Sequence, residues 1–282
     1  ILPSIIAFGY LVTAEVSFSV WATYMLLNAE TVVLSALGLR MRTVTSGTGR
    51  LQFAAYQEMG AYLVLIVAIV YVARRYLGQI WKGVLSEEFT EPEVHREALS
   101  YRLLVLSGAG AFGGLIAVWN YAGLSLPMAL AFFVAYFAVC LVLAWATSNT
   151  GLLLVSCSFR PQDYVYYLVG TRGIARRDLA LLALPSRALT FYYREYLLPH
   201  FLNSYKLADE TGLNRRAAAA SMWTGILVVL PVAWAAHLWL AYAKGAHALQ
   251  PLTYRSWAPV PFRAAISYML NPSAADPQGY VF

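Results

Sequence analysis

The chain has 282 residues, 60% of them hydrophobic and only 12% charged, where an ordinary globular chain has about 25% charged residues. With a mean hydropathy of +0.59 it reads as an all-α integral membrane protein, and a soluble globular domain is excluded. A formal charge of +6 would point to nucleic acid in a soluble chain. Here the basic residues flank apolar segments, so membrane lipids are the expected partner and nucleic acid is not.

Charge-free length predicts five spanning helices, at about 1–28, 56–76, 102–120, 125–147 and 217–243, with room for a sixth. All lie in a single transmembrane domain, residues 1–282. The chain opens on Ile1 without a basic n-region or a cleavage site, which reads as a product with residues missing upstream. In the first span Glu15 sits fourteen residues into an uncharged run, where an ionised carboxylate costs at least about 2–3 kcal/mol. It is read either as a site for a coupling proton or ion, or as a structural glutamate near Thr13 and Ser19.

Next comes VTSGTGRLQFAAYQEMGAYLVL, in which Gly47, Gly49 and Arg50 precede Gln57, Glu58 and Gly60 at the start of an apolar run. Backbone groups exposed by the glycines, followed by an amide and a carboxylate, would line the mouth of a membrane path. Helix capping and a simple turn explain the same residues. The segment 86–99 is acidic and reads as a solvated loop or surface helix. The third span holds Ser107, Gly110 and Gly114 at the spacing that lets two helix backbones approach, and is read as a packing face.

From Leu103 to Phe159 there is no Asp, Glu, Lys or Arg, so this run must cross at least twice. After it, SNTGLLLVSCSFRPQDYVYYLVG is polar, then apolar for too few residues to cross, then meets Arg160, Pro161 and Asp163. That pattern predicts a re-entrant or broken helix, which is tolerated at depth only inside protein or beside a wet cavity. The arginines and aromatics that follow predict one or two interfacial helices before residue 216. In the last span Pro231 predicts a kink.

Segments 74–102 and 148–216 carry five and nine Lys or Arg, against three each in 29–55 and 244–282. The positive-inside rule then makes loops 74–102 and 148–216 cytoplasmic and the 244–282 tail external. Cys140 and Cys157 are assigned no disulfide or metal. His200 and His237 lack a second ligand at helical spacing, so metal or pigment ligation is not assigned. There is no Ser-His-Asp order, P-loop, CxxC or HExxH, so no catalytic residue is named and an enzyme is not expected.

Three stretches carry a resemblance: TGRLQFAAYQEMGAYL, then LSYRLLVLSGAGAFGGLIAVWNYAGLSLPMALAFFVAYF, then LPHFLNSYKLADETGLNRRAAAASMWTGILVVLPVAWAAHLWLAYAKGA. Together they resemble the C-terminal half of an uncharacterised family of large bacterial polytopic membrane proteins, itself distantly similar to the oligopeptide transporter superfamily. The resemblance implies a polytopic fold, solute transport and an absent N-terminal half. Where that family places charged residues after the fourth of these helices, this chain has the uncharged AWATSNTG. Two functions are therefore carried forward. One is a permease for a small polar or peptide-like solute, its path lined by Glu15, Gln57, Glu58, Arg160 and Asp163. The other is a non-transporting scaffold subunit of a larger membrane complex, such as an energy-converting one, docking other membrane subunits.

Overall fold

The computed structural model describes residues 9–10, 12–38, 52–85, 100–150, 155–190, 196–245, 248–249 and 258–275. Among them the regular structure is all helical: α1 Ala14–Ala36, α2 Gln52–Leu85, α3 Tyr101–Tyr121, α4 Leu126–Thr150, α5 Pro161–Leu168, α6 Arg176–Leu189, α7 Leu197–Glu210, α8 Arg215–Lys244 and α9 Val260–Leu270. Four helices, over Phe53–Val84, Arg102–Tyr121, Leu126–Thr150 and Arg215–Lys244, are long and apolar enough to cross a membrane. They correspond to the last four expected spans, with α2 prolonged to Leu85.

The first expected span is different. The backbone is non-helical at Val12 and Thr13, and α1 starts at Ala14 with Thr13 as an extended N-cap. Glu15 therefore stands in the first turn of α1, where a carboxylate faces the positive end of the helix dipole, and not at mid-span. Gly47, Gly49, Arg50 and the acidic segment 86–99 lie outside the described residues.

At the centre is α4. Its Ala129, Phe132, Phe133, Tyr136, Val139, Cys140 and Leu143 follow the three-four spacing of one helical face and are all buried, with Val142 and Ala144 buried beside that face. On it α3 lays Phe112, Leu115, Ile116 and Trp119. Trp119 meets Phe133 with ring centroids 6.3 Å apart, and Phe112 meets Phe137 at 5.9 Å. The glycine face expected to pack instead points away: Ser107, Gly110 and Gly114 are exposed, and a Cβ built on either glycine would meet nothing within 4 Å. Aromatic and branched side chains offer more contact than glycines, so they take the inner face.

The polar tail of α4 stays helical because its side chains return to the backbone. Thr147 and Thr150 hydroxyls donate to the carbonyls of Leu143 and Ala146, and the Asn149 amide donates to Trp145 O. Uncharged AWATSNT thus continues a helix without needing water.

Two contacts fix the directions of the helices. Arg102 Nε donates to Val84 O at 3.0 Å, setting the start of α3 beside the end of α2. A four-residue turn then joins α3 to α4, with Gly123 at φ +107° and the Arg177 guanidinium lying where a Cβ would project. Asp178, the third residue of α6, accepts from Ser125 N–H at 2.9 Å and from Ser125 Oγ–H at 2.6 Å. A helix of the 25 residues in α4 is about 37 Å long. Leaving it at Thr150 and reaching Ser125 by residue 178, the chain doubles back along the whole length of α4. The expected re-entrant element is an irregular segment at 155–160 that bends at Ser158 and Phe159, then α5, a turn at 170–175 and α6. Residues 171–178 therefore lie at the end opposite Val84 and Arg102, which corrects the expectation that 148–216 forms one loop on the side of 74–102. Arg172, Arg176 and Arg177 leave the basic count on which that orientation rested.

The expected interfacial helices are α6 and α7, and α6 belongs to the core: Leu179, Leu182, Ala183, Pro185 and Ser186 are buried. Tyr196, at the head of α7, meets Tyr136 of α4. From there α8 departs, touching α7 through Phe201 and Trp223, with none of its residues buried; Pro231 lies within it. On the outer side of α6 rests α9, burying Pro261 and Ala265.

Because Asp178 satisfies two Ser125 donors at once, Asp178→Ala is expected to lower stability by about 1–3 kcal/mol. Ser125→Ala, which keeps the backbone donor, should cost less. Thermal unfolding of the purified protein in detergent measures both.

Candidate functional site

The site is built where the returning segment meets the first turns of α2. Proline at the first position of α5 lacks only a donor that the helix start leaves unused, and Asp163, two residues later, faces the helix dipole. The two ends brace each other: Asp163 N–H donates to Arg160 O at 2.9 Å, and Arg160 N–H donates to Asp163 Oδ2 at 2.8 Å. Both residues are almost sealed, Arg160 at 3% and Asp163 at 1% exposure. From α6, Ser186 Oγ accepts from Arg160 Nη1 at 3.1 Å and from Gln162 Nε2 at 2.8 Å. The other end of the Gln162 amide, Oε1, is buried and has no hydrogen-bond partner among the described residues.

Just before this cluster, Ser158 N–H donates to Glu58 Oε2 at 2.8 Å. The Ser158 side chain and the Tyr62 phenol, one turn further along α2, also hydrogen-bond the Glu58 carboxylate. Phe159 is fully buried and stands edge-on to both Tyr62 and Tyr164, at 5.2 and 5.3 Å. The Tyr164 hydroxyl donates to Met59 O at 2.9 Å, and Tyr56 meets Tyr167 at 4.6 Å. The Ser158 amide of this irregular segment, which has no ladder of its own, is thus satisfied by a side chain from the N-terminal part of α2. Next to Glu58, Gln57 Nε2 donates to Glu30 Oε1 at 2.5 Å and ties α1 to the same place.

Burial pushes the phenols of Tyr164 and Tyr167 well above their ordinary range. For Tyr166 burial acts first, the Asp163 carboxylate pushes further the same way, and Arg160 opposes. These hydroxyls stay protonated and act as donors throughout the neutral range.

Of the residues singled out in the sequence, Gln57, Glu58, Arg160 and Asp163 come together here. Glu15 does not: it is exposed in the first turn of α1, where its carbonyl accepts from Ser19 Oγ. The acid that α1 does bring to the site is Glu30, which sequence reasoning passed over because it lay beyond the expected end of the first span. Ser186 and Gln162 were also passed over. A serine beside proline in LALLALPSRAL and a glutamine after proline at the start of α5 were the available signals. His200 and His237 are exposed, and among the described residues no three His, Cys, Asp or Glu side chains stand together as a metal site.

The family model described as "Family of unknown function (DUF6785)" matches residues 1–282. The chain belongs to that family. No curated protein matches this DUF6785 member, and no solved structure does.

The buried phenols give a pH dependence with a definite sign. Their folded-state pKa values lie above the unfolded value of about 10, so the stability they contribute is present below pH 10 and is lost as pH rises through the folded values. Thermal unfolding midpoints should be level from about pH 7 to 9 and fall above about pH 10. Tyr164→Phe should lower the plateau by about 0.5–1.5 kcal/mol through loss of the bond to Met59 O, and make the alkaline fall shallower.

Proposed function

We propose that this DUF6785 member is a polytopic membrane protein of the bacterial inner membrane that moves a small polar or peptide-like solute. Its path runs between the N-terminal half of α2 and the segment that doubles back, lined by Gln57, Glu58, Arg160 and Asp163, with Glu30 added and Glu15 left out. One observation carries this reading: Glu58, an ionisable residue inside a helix apolar enough to span a membrane, binds the backbone of a non-helical segment. A carboxylate at such a position is costly, and irregular backbone at such depth is tolerated only inside protein or beside a wet cavity. Coupling would be to an ion gradient.

Uptake by proteoliposomes containing the purified protein tests it. Glu58→Gln preserves the shape and an oxygen acceptor for Ser158 N–H but removes the charge, so uptake should fall at least about tenfold while the unfolding midpoint changes little. Glu15→Gln should leave uptake intact. Full uptake by Glu58→Gln would remove the path from this site.

A second reading, a non-transporting subunit docked to other membrane subunits or to a separate N-terminal half, draws support from surfaces left open among the described residues. Neither α1 nor α8 buries a residue, and the glycine face of α3 points outward. Co-purification from native membranes that is lost when Gly110 and Gly114 become Leu would favour it over the permease.

A further inference from the structure

The turn from α5 into α6 and the first two residues of α6 carry Arg172, Arg176 and Arg177, and all three are exposed. The backbone that bears them is held on both flanks. Beyond the end of α9, Ser273 O accepts from Arg172 N–H at 3.0 Å, and Ser273 N–H donates to Thr171 Oγ1 at 3.0 Å. Gly170, at φ +76°, lets the two segments come together, since a Cβ there would stand 2.5 Å from Ala275 N. On the other flank Asp178 is bonded to Ser125, and the Arg177 guanidinium lies over Gly123 in the turn between α3 and α4. The arginines are thus mounted on a fixed support.

Their depth follows from the same contacts. Gly123 and Ser125 stand where α3 leaves and α4 enters the apolar layer, which puts the arginines at the level of lipid headgroups. Around them Tyr121 at the end of α3, Leu126 at the start of α4, and Leu168 and Val169 at the end of α5 are exposed, an interfacial tyrosine beside apolar surface of the kind that acyl chains cover. Toward the Val84 end, arginines are used within the protein: Arg102 donates to Val84 O, and Arg74 donates to Tyr71 O with its guanidinium 3.7 Å from the Tyr71 ring centroid. The side chains of Arg172, Arg176 and Arg177 make no hydrogen bond or ion pair among the described residues, and the adjacent carboxylate, Asp178, is spent on Ser125. The positive-inside rule accounts for basic residues at one end of a bundle, so basic groups at both ends leave one set without that explanation.

We propose that Arg172, Arg176 and Arg177 form a headgroup site for an anionic phospholipid, its phosphate shared among the guanidiniums and its acyl chains lying along Leu168 and Val169. A guanidinium offers paired N–H donors that match phosphate oxygens, and it keeps its charge at any physiological pH. The apolar surface beside the cluster selects a lipid over a free phosphate. The site stands under either reading of the protein's function.

Native mass spectrometry of the purified protein, released from micelles that hold equal amounts of phosphatidylglycerol and phosphatidylcholine, tests the site. The unaltered chain should retain phosphatidylglycerol in preference, and Arg172→Gln with Arg176→Gln should lower that preference at least about fivefold. Arg177 is left in place because its guanidinium covers Gly123. Arg74→Gln with Arg75→Gln, on α2, removes the same charge elsewhere and should leave the preference unchanged. Thermal unfolding gives a second readout: phosphatidylglycerol should raise the midpoint of the unaltered chain but not that of the Arg172 and Arg176 variant, and the two should unfold alike in phosphatidylcholine. Equal preference in the two double variants would overturn the proposal. A lower midpoint of the Arg172 and Arg176 variant in phosphatidylcholine would also overturn it, since the guanidiniums would then be structural. Displacement of the bound lipid by excess inorganic phosphate would overturn the lipid assignment and leave a site for a free anion.

Discussion

Everything distinctive in this fold follows from one constraint, that a stretch of backbone without a hydrogen-bonding ladder has been laid inside an apolar bundle. Residues 155–160 are neither helix nor strand, so their peptide groups must find partners elsewhere or bear the cost of being buried without them. Glu58 takes the Ser158 amide, the Asp163 carboxylate takes the Arg160 amide, and the Phe159 carbonyl accepts from Cys157. The same requirement explains the ring of tyrosines around the segment. A phenol has an apolar body that fills the core and one hydroxyl that can reach a backbone oxygen, as Tyr164 does at Met59.

That constraint also separates two kinds of buried polar group in the chain. At the Ser125 end, Asp178 meets two donors with two acceptor oxygens, an arrangement that fixes position and leaves little to spare. Around Ser186 the match is incomplete, because one hydroxyl receives both Arg160 and Gln162 while the second Gln162 atom is left over. A satisfied network rigidifies, whereas an unsatisfied acceptor is the feature expected where another molecule or a water completes the set.

Much of this was legible in the sequence, and for simple reasons. A helix long enough to cross a bilayer is a run of apolar residues, and such a run is local, so α3, α4 and α8 were found within a few residues of their ends, while α2 runs on to Leu85, past its expected end at 76. The broken element was also local: a charge pair around proline after too short an apolar stretch. What escaped was everything set by pairing across long separations. Glu58 and Ser158 are 100 residues apart, and no periodicity links them. The break at Val12 and Thr13 was hidden because every residue before Glu15 is uncharged, so an interrupted run and a continuous one look alike. The inner face of α3 was not legible because the glycine motif allows close approach without saying to which neighbour, while Phe112, Ile116 and Trp119 on the other side pack against α4.

The seating of Ser273 on Thr171 joins residues separated by 102 positions. A ribosome adds residues one at a time, so the hairpin of α5 and α6 must exist for a while with its outer flank bare and wait for α9 to be made. During that interval it is held by the carboxylate anchors at Ser125 and Ser158 together with its packing on α2 and α4. Those two bonds are thus a scaffold for assembly as much as a feature of the finished molecule, and the order in which the chain matures is written into which end of the hairpin is pinned first.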